Sequence, residues 1–216
     1  MILFIEDRSS RQTLAFLKLG ISLDAYKDIV ENAIDESYKE IFKMLKEDSF
    51  DFSKYSFIIC HKSAFEDDNS KIIHKLKQDC SCKKIPLVLF SGGIDANYHE
   101  TCNNYAEINS KTLYSNNLKL FFENAKEKNI DIFSLIYGKK WKLNILLNLL
   151  EKINLFVQNH SGDRVYFKRF SSAVGLDIVG FMDLVEPKMQ GKYTTLSEIK
   201  KISDTVEEEI KVAIDE

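Results

Sequence analysis

The chain has 216 residues, of which 44% are hydrophobic and 12% aromatic, enough for one large domain or for one domain with an appendage. Its formal net charge of −3 gives no electrostatic basis for bulk nucleic-acid binding, and it holds no uncharged apolar run of the roughly 18 residues that a membrane span needs. The first residues are typical of a strand and not of a signal peptide, and the four cysteines are expected to be reduced, so we expect a cytoplasmic protein.

Short apolar runs alternate with helical patterns along the first 126 residues. Strands separated by helices in short units predict right-handed crossovers and a parallel sheet with helices on both faces. The predicted strands lie at residues 2–5, 21–26 (weak), 57–59, 85–90 and 105–108 (a weak edge), and the predicted helices at 11–19, 28–46, 69–79 and 113–125.

The run that starts at Phe57 organises this prediction. It is apolar through Ile59 and then turns to Cys60, His61, Lys62 and Ser63. A short apolar run bounded by polar residues indicates a strand buried on both faces of a parallel sheet. Ligands of such sheets bind outside the carboxyl ends of the strands, so the side chains at the end of this strand are candidate site residues.

A different pattern begins at residue 129, which divides the chain into a predicted α/β domain over 1–128 and a mainly helical extension over 129–216. Residues 130–136 fit either a strand or a helix, 165–170 fit a strand, and 175–185 are ambiguous. A strongly apolar helix is predicted over 139–158, and Thr195 or Ser197 is predicted to begin a final amphipathic helix.

Three short motifs, in their order along the predicted strands, resemble those of the receiver domain of two-component response regulators. Glu6 and Asp7 match the acidic pair after the first strand, and the run IPLVLFSG at 85–92 matches the fourth strand with its Ser91. Lys111 matches loosely the lysine that follows the fifth strand. The resemblance covers about residues 1–126 and implies a doubly wound, five-stranded parallel sheet with a regulatory role.

The receiver's phosphoacceptor aspartate has no counterpart in this chain. The matching position after the third strand is His61, or Cys60 if the register slips by one, and Asp51 lies too far upstream. An acyl phosphate needs a carboxylate nucleophile, and the supporting Mg²⁺ ion needs carboxylate oxygens. We therefore expect a pseudo-receiver without a required cofactor, in which Glu6 and Asp7 bind Mg²⁺ weakly at most.

Two interpretations of this pocket stay open on sequence grounds. In one, His61 is a phosphorylatable imidazole, or Cys60 is a reactive thiol with a pKa lowered by a neighbouring cation. In the other, which we favour, these residues only fill a site that lost its carboxylate. His61 would then bond to Ser91 or Glu6, and Lys111 would form a structural ion pair with the leftover acids.

Three further patterns carry weaker hypotheses. Cys80 and Cys82, followed by His99 and Cys102, have zinc-ligand chemistry, but the two pairs flank one strand from opposite ends, about 20 Å apart at roughly 3.3 Å of rise per residue. Residues 91–93 are more typical of a tight turn than of a phosphate loop. A mild basic cluster with interleaved aromatics is compatible with a nucleic-acid surface but is more typical of a solvated helix start. It includes Trp141 and the cations Lys139, Lys140, Lys142, Arg164, Lys168 and Arg169.

We expect a non-enzymatic regulatory module that binds a protein partner or itself, with the apolar helix at 139–158 either facing that partner or packing within the chain. One alternative is a phosphotransfer or phosphate-sensing protein that uses His61. The other is a DNA-binding regulator acting through the C-terminal region, which lacks a clear helix-turn-helix signature. The favoured interpretation involves neither nucleic acid nor a membrane.

Overall fold

The computed structural model describes residues 1–65, 69–94, 98–100, 104–127, 132–176 and 193–215, without the side chains of 69, 70, 98–100 and 215. The chain divides into two compact units, Met1–Lys139 and Lys140–Glu216. The division falls after the boundary predicted at residue 128, because a helix over Ile132–Tyr137 buries Ile132, Leu135 and Ile136 in the core of the first unit.

A six-stranded sheet forms the centre of the first unit. Five of its strands are parallel. When only these five are numbered along the chain, their spatial order is 2-1-3-4-5, which confirms the predicted α/β class and the five-stranded parallel sheet. A sixth, antiparallel strand pairs with the edge of this parallel sheet. In chain order the strands are β1 (Ile2–Ile5), β2 (Val30–Ala33), β3 (Phe57–His61), β4 (Leu87–Ser91), β5 (Tyr98–Glu100) and β6 (Tyr105–Asn109), and the spatial order is β2-β1-β3-β4-β6-β5.

Helices cover both faces of this sheet because successive strand residues point to opposite sides. Ile2 and Phe4 of β1 face one apolar cluster, whereas Leu3 and Ile5 face the other. The helices are α1 (Ser9–Leu19), α2 (Glu36–Lys46), α3 (Asn69–Lys83), α4 (Ser110–Leu113), α5 (Asn116–Lys126) and α6 (Ile132–Tyr137). The first cluster packs under α1, α5 and α6, and the second under α2 and α3.

The second strand is not where the sequence placed it. Residues 21–26 contain a 3-10 turn at Leu23–Tyr26, and the helix predicted over 28–46 begins only at Glu36. Pairing with β1 overrides the helical spacing, since Ile2 N donates to Ile29 O at 2.7 Å and Glu6 N to Ala33 O at 3.0 Å. Asp35, which has a positive φ of 52°, then turns the chain between β2 and α2.

A reciprocal amide pair ties α1 to β2. The Gln12 side chain is buried, and its Nε2 donates to Asn32 Oδ1 at 2.8 Å while Asn32 Nδ2 donates to Gln12 Oε1 at 2.9 Å. Buried amides need such partners because an unsatisfied polar group costs about 1–3 kcal/mol.

The second unit is a small helical assembly around a two-stranded ribbon. Its elements are α7 (Trp141–Asn159), β7 (Arg164–Tyr166), α8 (Phe167–Val174), β8 (Tyr193–Thr195) and α9 (Leu196–Asp215). The strand predicted over 165–170 is therefore wrong beyond Tyr166, where α8 begins, and residues 177–185 of the ambiguous segment lie outside the described residues. The apolar face of α7, with Leu146, Leu149 and Ile153, packs within its own unit against α9.

None of the helices in the described ranges is both long and apolar enough to cross a bilayer.

Replacing Gln12 by Leu should lower the free energy of unfolding by about 1–2 kcal/mol, because the Asn32 amide loses both of the hydrogen bonds that it makes with Gln12. The double variant Gln12→Leu/Asn32→Leu should recover part of that loss, since no polar group is then stranded. Urea unfolding followed by circular dichroism measures both. Thr13→Leu, on the exposed side of the same helix turn, is the matched control and should change little.

Candidate functional site

The carboxyl ends of β1 and β3 bring Glu6, Asp7 and His61 together, as the resemblance to receivers implies. Ile5 pairs with Cys60 in the parallel register, so the next residues along each strand, Glu6 and His61, are neighbours. Glu6 is fully buried and His61 is only 2% exposed. A carboxylate and an imidazole at this depth need compensating partners, which decide what the site can do.

Glu6 is held by donors from three directions. Arg11 of α1 donates from Nη2 to Oε1 at 2.5 Å and from Nε to Oε2 at 3.2 Å. The backbone N–H of Arg8 donates to Oε1 at 3.0 Å, and the hydroxyl of Tyr114, just after α4, donates to Oε2 at 2.6 Å. Burial and the adjacent Asp7 raise the pKa of the Glu6 carboxyl, and the donors from Arg11 and Tyr114 oppose that rise.

Asp7 and His61 form the second half of the site. Nδ1 of His61 lies 2.6 Å from Oδ1 of Asp7 and 2.9 Å from the hydroxyl oxygen of Ser63. Despite these close distances, Oδ1 of Asp7 has no well-aligned hydrogen bond among the described residues, and Arg11 Nη2 lies 3.6 Å from it. Burial lowers the pKa of His61 to about 4, which the nearby Arg11 and Arg8 reinforce and Asp7 opposes, so the imidazole is neutral at neutral pH.

Lys111 and Ser91 lie at the same edge of the sheet but do not join this cluster. The Lys111 side chain is exposed, and within the described ranges it makes no ion pair with Glu6 or Asp7. Ser91 Oγ accepts from Gly93 N at 3.3 Å, so the turn after β4 closes on itself. Arg11 therefore provides the positive charge that we expected from Lys111.

Arg11 and Tyr114 are the residues that sequence reasoning missed. Arg11 follows Glu6 by five positions. The first turn of α1 places its guanidinium next to the Glu6 carboxylate, where the two groups form a bidentate contact. A cation one helical turn beyond an acidic pair was the available signal. Tyr114 is 108 positions from Glu6, and only the packing of its ring against Phe4 and Phe90 brings its hydroxyl to the carboxylate.

Cys60 points away from the cluster. It is fully buried in the apolar core on the opposite face of the sheet from His61. Burial, and then the nearby Cys80, raise the pKa of the Cys60 thiol well above its usual range. A thiol of this kind stays protonated and unreactive at neutral pH.

A metal ion would have to compete with Arg11 for the carboxylate oxygens of this site. Glu6, Asp7 and His61 each offer one ligand atom, and these atoms lie within 4.8 Å of one another. Both oxygens of Glu6 already accept hydrogen bonds, so a Mg²⁺ ion, which prefers oxygen ligands in a strict octahedron, would have to displace Arg11.

The structure describes the side chains of only two of the four residues in the candidate zinc site. Cys80 is buried and Cys82 is exposed, and both lie on α3, which runs to Lys83 and therefore four residues beyond the helix predicted over 69–79. The side chain of His99 and all of Cys102 lie outside the described residues.

No protein-family model matches the chain, and searches of curated proteins and of solved structures find no match either. The strand order 2-1-3-4-5 alone relates the first unit to receiver-like and flavodoxin-like folds.

Replacing Arg11 by Met should lower the free energy of unfolding by about 3–5 kcal/mol at neutral pH, because Glu6 is left buried without its counter-charge. Glu6→Gln/Arg11→Met should restore much of it. Lys111→Met is the matched control and should lie within about 0.5 kcal/mol of the parent, as for other exposed positions. A large loss for Lys111→Met and none for Arg11→Met in urea unfolding would contradict this assignment.

His61 should make the protein less stable in mild acid. Because its folded pKa of about 4 lies below its usual 6.5, the unfolded chain takes up the proton first as pH falls. The contribution of the neutral His61 imidazole to the free energy of unfolding is therefore fully present above pH 6.5 and is lost as the pH falls towards 4. By pH 5 the loss is about 2 kcal/mol.

Urea midpoints of the parent and of His61→Gln at pH 7.5 and pH 5 measure this difference. The exposed His74, replaced by Gln, is the control and should leave the pH dependence unchanged. If His61→Gln and the parent lose equal stability on acidification, the imidazole is not held neutral by burial.

Proposed function

We propose that the first unit is a pseudo-receiver, a regulatory module that acts by binding a protein partner or a second copy of itself and performs no phosphoryl transfer. The observation that carries the proposal is the contact between Arg11 and the buried Glu6, beside an imidazole where a phosphoacceptor carboxylate would be required. The proposal rests on this chemistry and on the strand order.

The arrangement lacks what acyl-phosphate chemistry requires. The attacking group must be a carboxylate, and the transferred phosphoryl group must have its charge neutralised by a divalent cation. The strand that should supply the nucleophile supplies His61, whose side chain is 3% exposed. The guanidinium of Arg11 supplies a fixed positive charge to Glu6, and Arg8 Nε lies 3.8 Å from Asp7 Oδ2, so both acids have a counter-charge within the chain.

Tyr114 links this pocket to the helical surface. Its hydroxyl donates to Glu6, and its ring packs at 6.2 Å from Phe16 and 5.7 Å from Phe90. Moving the ring would break a charge-assisted hydrogen bond and open the aromatic cluster at the same time. We infer that the module presents one constant surface, which a partner recognises without a phosphorylation signal.

Phosphotransfer on His61 is the competing function. In its favour, Nδ1 lies 2.6 Å from a carboxylate oxygen that could take up its proton. Against it, the imidazole is enclosed by Asp7, Ser63 and Phe90, which leaves a phosphodonor no approach without local opening.

Incubation with acetyl phosphate and Mg²⁺, followed by intact-protein mass spectrometry, separates the two functions. We expect no phosphoryl adduct on the parent protein, because the site offers no accessible nucleophile. A stable adduct that disappears in His61→Ala would overturn the proposal. Light scattering over a concentration series then tests self-association, and a protein that stays monomeric leaves binding to a different protein as the proposed mode.

A further inference from the structure

The ribbon of the second unit exposes a pair of tyrosines. Tyr166 of β7 pairs directly with Tyr193 of β8, and each residue is 48% exposed. Their ring centroids lie 4.5 Å apart with an interplanar angle of 33°, and the hydroxyl of Tyr193 donates to that of Tyr166 at 2.8 Å. At this distance and angle one ring packs over the other, so each can offer a base at most its outer face, and the hydroxyl groups form a polar tip.

Three cations accompany this pair. Arg164 shares the exposed face of β7 with Tyr166, because residues two apart along a strand point to the same side. Lys168 and Arg169 follow on the first turn of α8, and both are exposed. None of these three cations forms an ion pair within the part of the chain that the structure describes. We call Arg164, Tyr166, Lys168, Arg169 and Tyr193 the tyrosine patch.

The frame beneath the patch is rigid. Val165 and Thr194, the inward residues of the ribbon, are buried. The start of α9 is fixed by a capping box, in which Glu198 Oε2 accepts from Thr195 N at 2.8 Å and Thr195 Oγ1 accepts from Glu198 N at 3.2 Å. The carboxylate of Glu198 is thus engaged with the backbone, and both tyrosines are held in place before any ligand arrives.

The acidic residues of α9 lie away from the patch. Glu207, Glu208 and Glu209 are at least 11 residues beyond the start of the helix, which corresponds to about 16 Å at 1.5 Å per residue. Glu209 is instead near the first turn of α7, with its Oε2 3.7 Å from Lys142 Nζ. Near the patch, the three cations face Asp163, which precedes Arg164, and Glu198 at the start of α9, so positive charge exceeds negative charge by one among these residues.

We propose that the tyrosine patch binds single-stranded nucleic acid. Unpaired bases would stack on Tyr166 and Tyr193, and their phosphates would be neutralised by Arg164, Lys168 and Arg169. Proteins that bind single strands without strong sequence preference combine stacking side chains with cations in this way. A duplex offers no free base faces to the rings, so the patch discriminates against it. The site lies in the second unit and is independent of the function proposed for the first.

Fluorescence anisotropy with labelled 15-nucleotide oligo(dT), oligo(U) and a 15-base-pair duplex tests the proposal on the full chain. We expect both single strands to bind more tightly than the duplex, and the ratio of the two affinities shows whether DNA or RNA is preferred. With three phosphate contacts, the logarithm of the association constant should fall against the logarithm of salt concentration with a slope of about −2.

Substitutions separate stacking from charge. Tyr166→Ala and Tyr193→Ala should each weaken single-strand binding by at least about five-fold, whereas Tyr166→Phe keeps the ring and should stay within about two-fold. Arg164→Gln and Lys168→Gln, each made alone, should flatten the salt dependence, and Lys211→Gln on α9 removes the same single charge and is the control that should not. Circular dichroism checks that each variant is folded.

Two results would overturn the proposal. One is the absence of any salt-sensitive binding of oligo(dT) or oligo(U) by the parent protein. The other is binding that survives both tyrosine-to-alanine changes, which would mean that the strand is held elsewhere. Binding of the duplex alone would likewise exclude a stacking surface and favour a groove reader.

Discussion

The ion pair between Glu6 and Arg11 is the contact on which the first unit depends. A carboxylate with no exposure to water at the end of a central strand would be too costly to keep charged without a partner, and the bidentate guanidinium provides one at 2.5 and 3.2 Å. Through it, the carboxyl end of β1 is joined to the first turns of α1, and through Tyr114 to the helices that follow β6. The site is consequently part of the framework of the fold.

The same contact is the basis for our proposal that this sheet edge is not a phosphorylation site. A switch needs a pocket that is short of positive charge until a cation and a phosphoryl group arrive. Here the cation is a side chain of the protein, and the neighbouring imidazole of His61 carries no charge at neutral pH. The electrostatics of the pocket are therefore complete within the chain, and the proposed regulatory role relies on shape.

The parts of the structure that could be predicted are those governed by local pattern. Continuous apolar runs marked β1, β3 and β4, because a strand buried on both faces carries few polar residues. β2 was missed because its inward residues, Val30 and Ala33, are three apart, a spacing that also suits a helix. Pairing with β1 decided between the two, and no local pattern records that pairing.

The site was predictable in its strand-end residues and not in its partners. Glu6, Asp7 and His61 could be placed because parallel strands end at one edge of a sheet. Arg11 looked like an ordinary polar residue of a helix start, since its role depends on the direction in which α1 leaves the sheet. In the second unit, Tyr166 and Tyr193 are 27 positions apart, and only the antiparallel register of β7 and β8 makes them neighbours.

The position of Arg11 also bears on how this protein could be related to an active switch by stepwise change. Aspartate in place of His61 would add a third carboxylate to a pocket whose two acids are already paired with Arg11 and Arg8, so that variant would be electrostatically unbalanced. Loss of Arg11 alone would strand Glu6. A carboxylate at position 61 would therefore not be enough for phosphorylation, because a divalent cation would also have to supply positive charge to the enlarged acidic cluster.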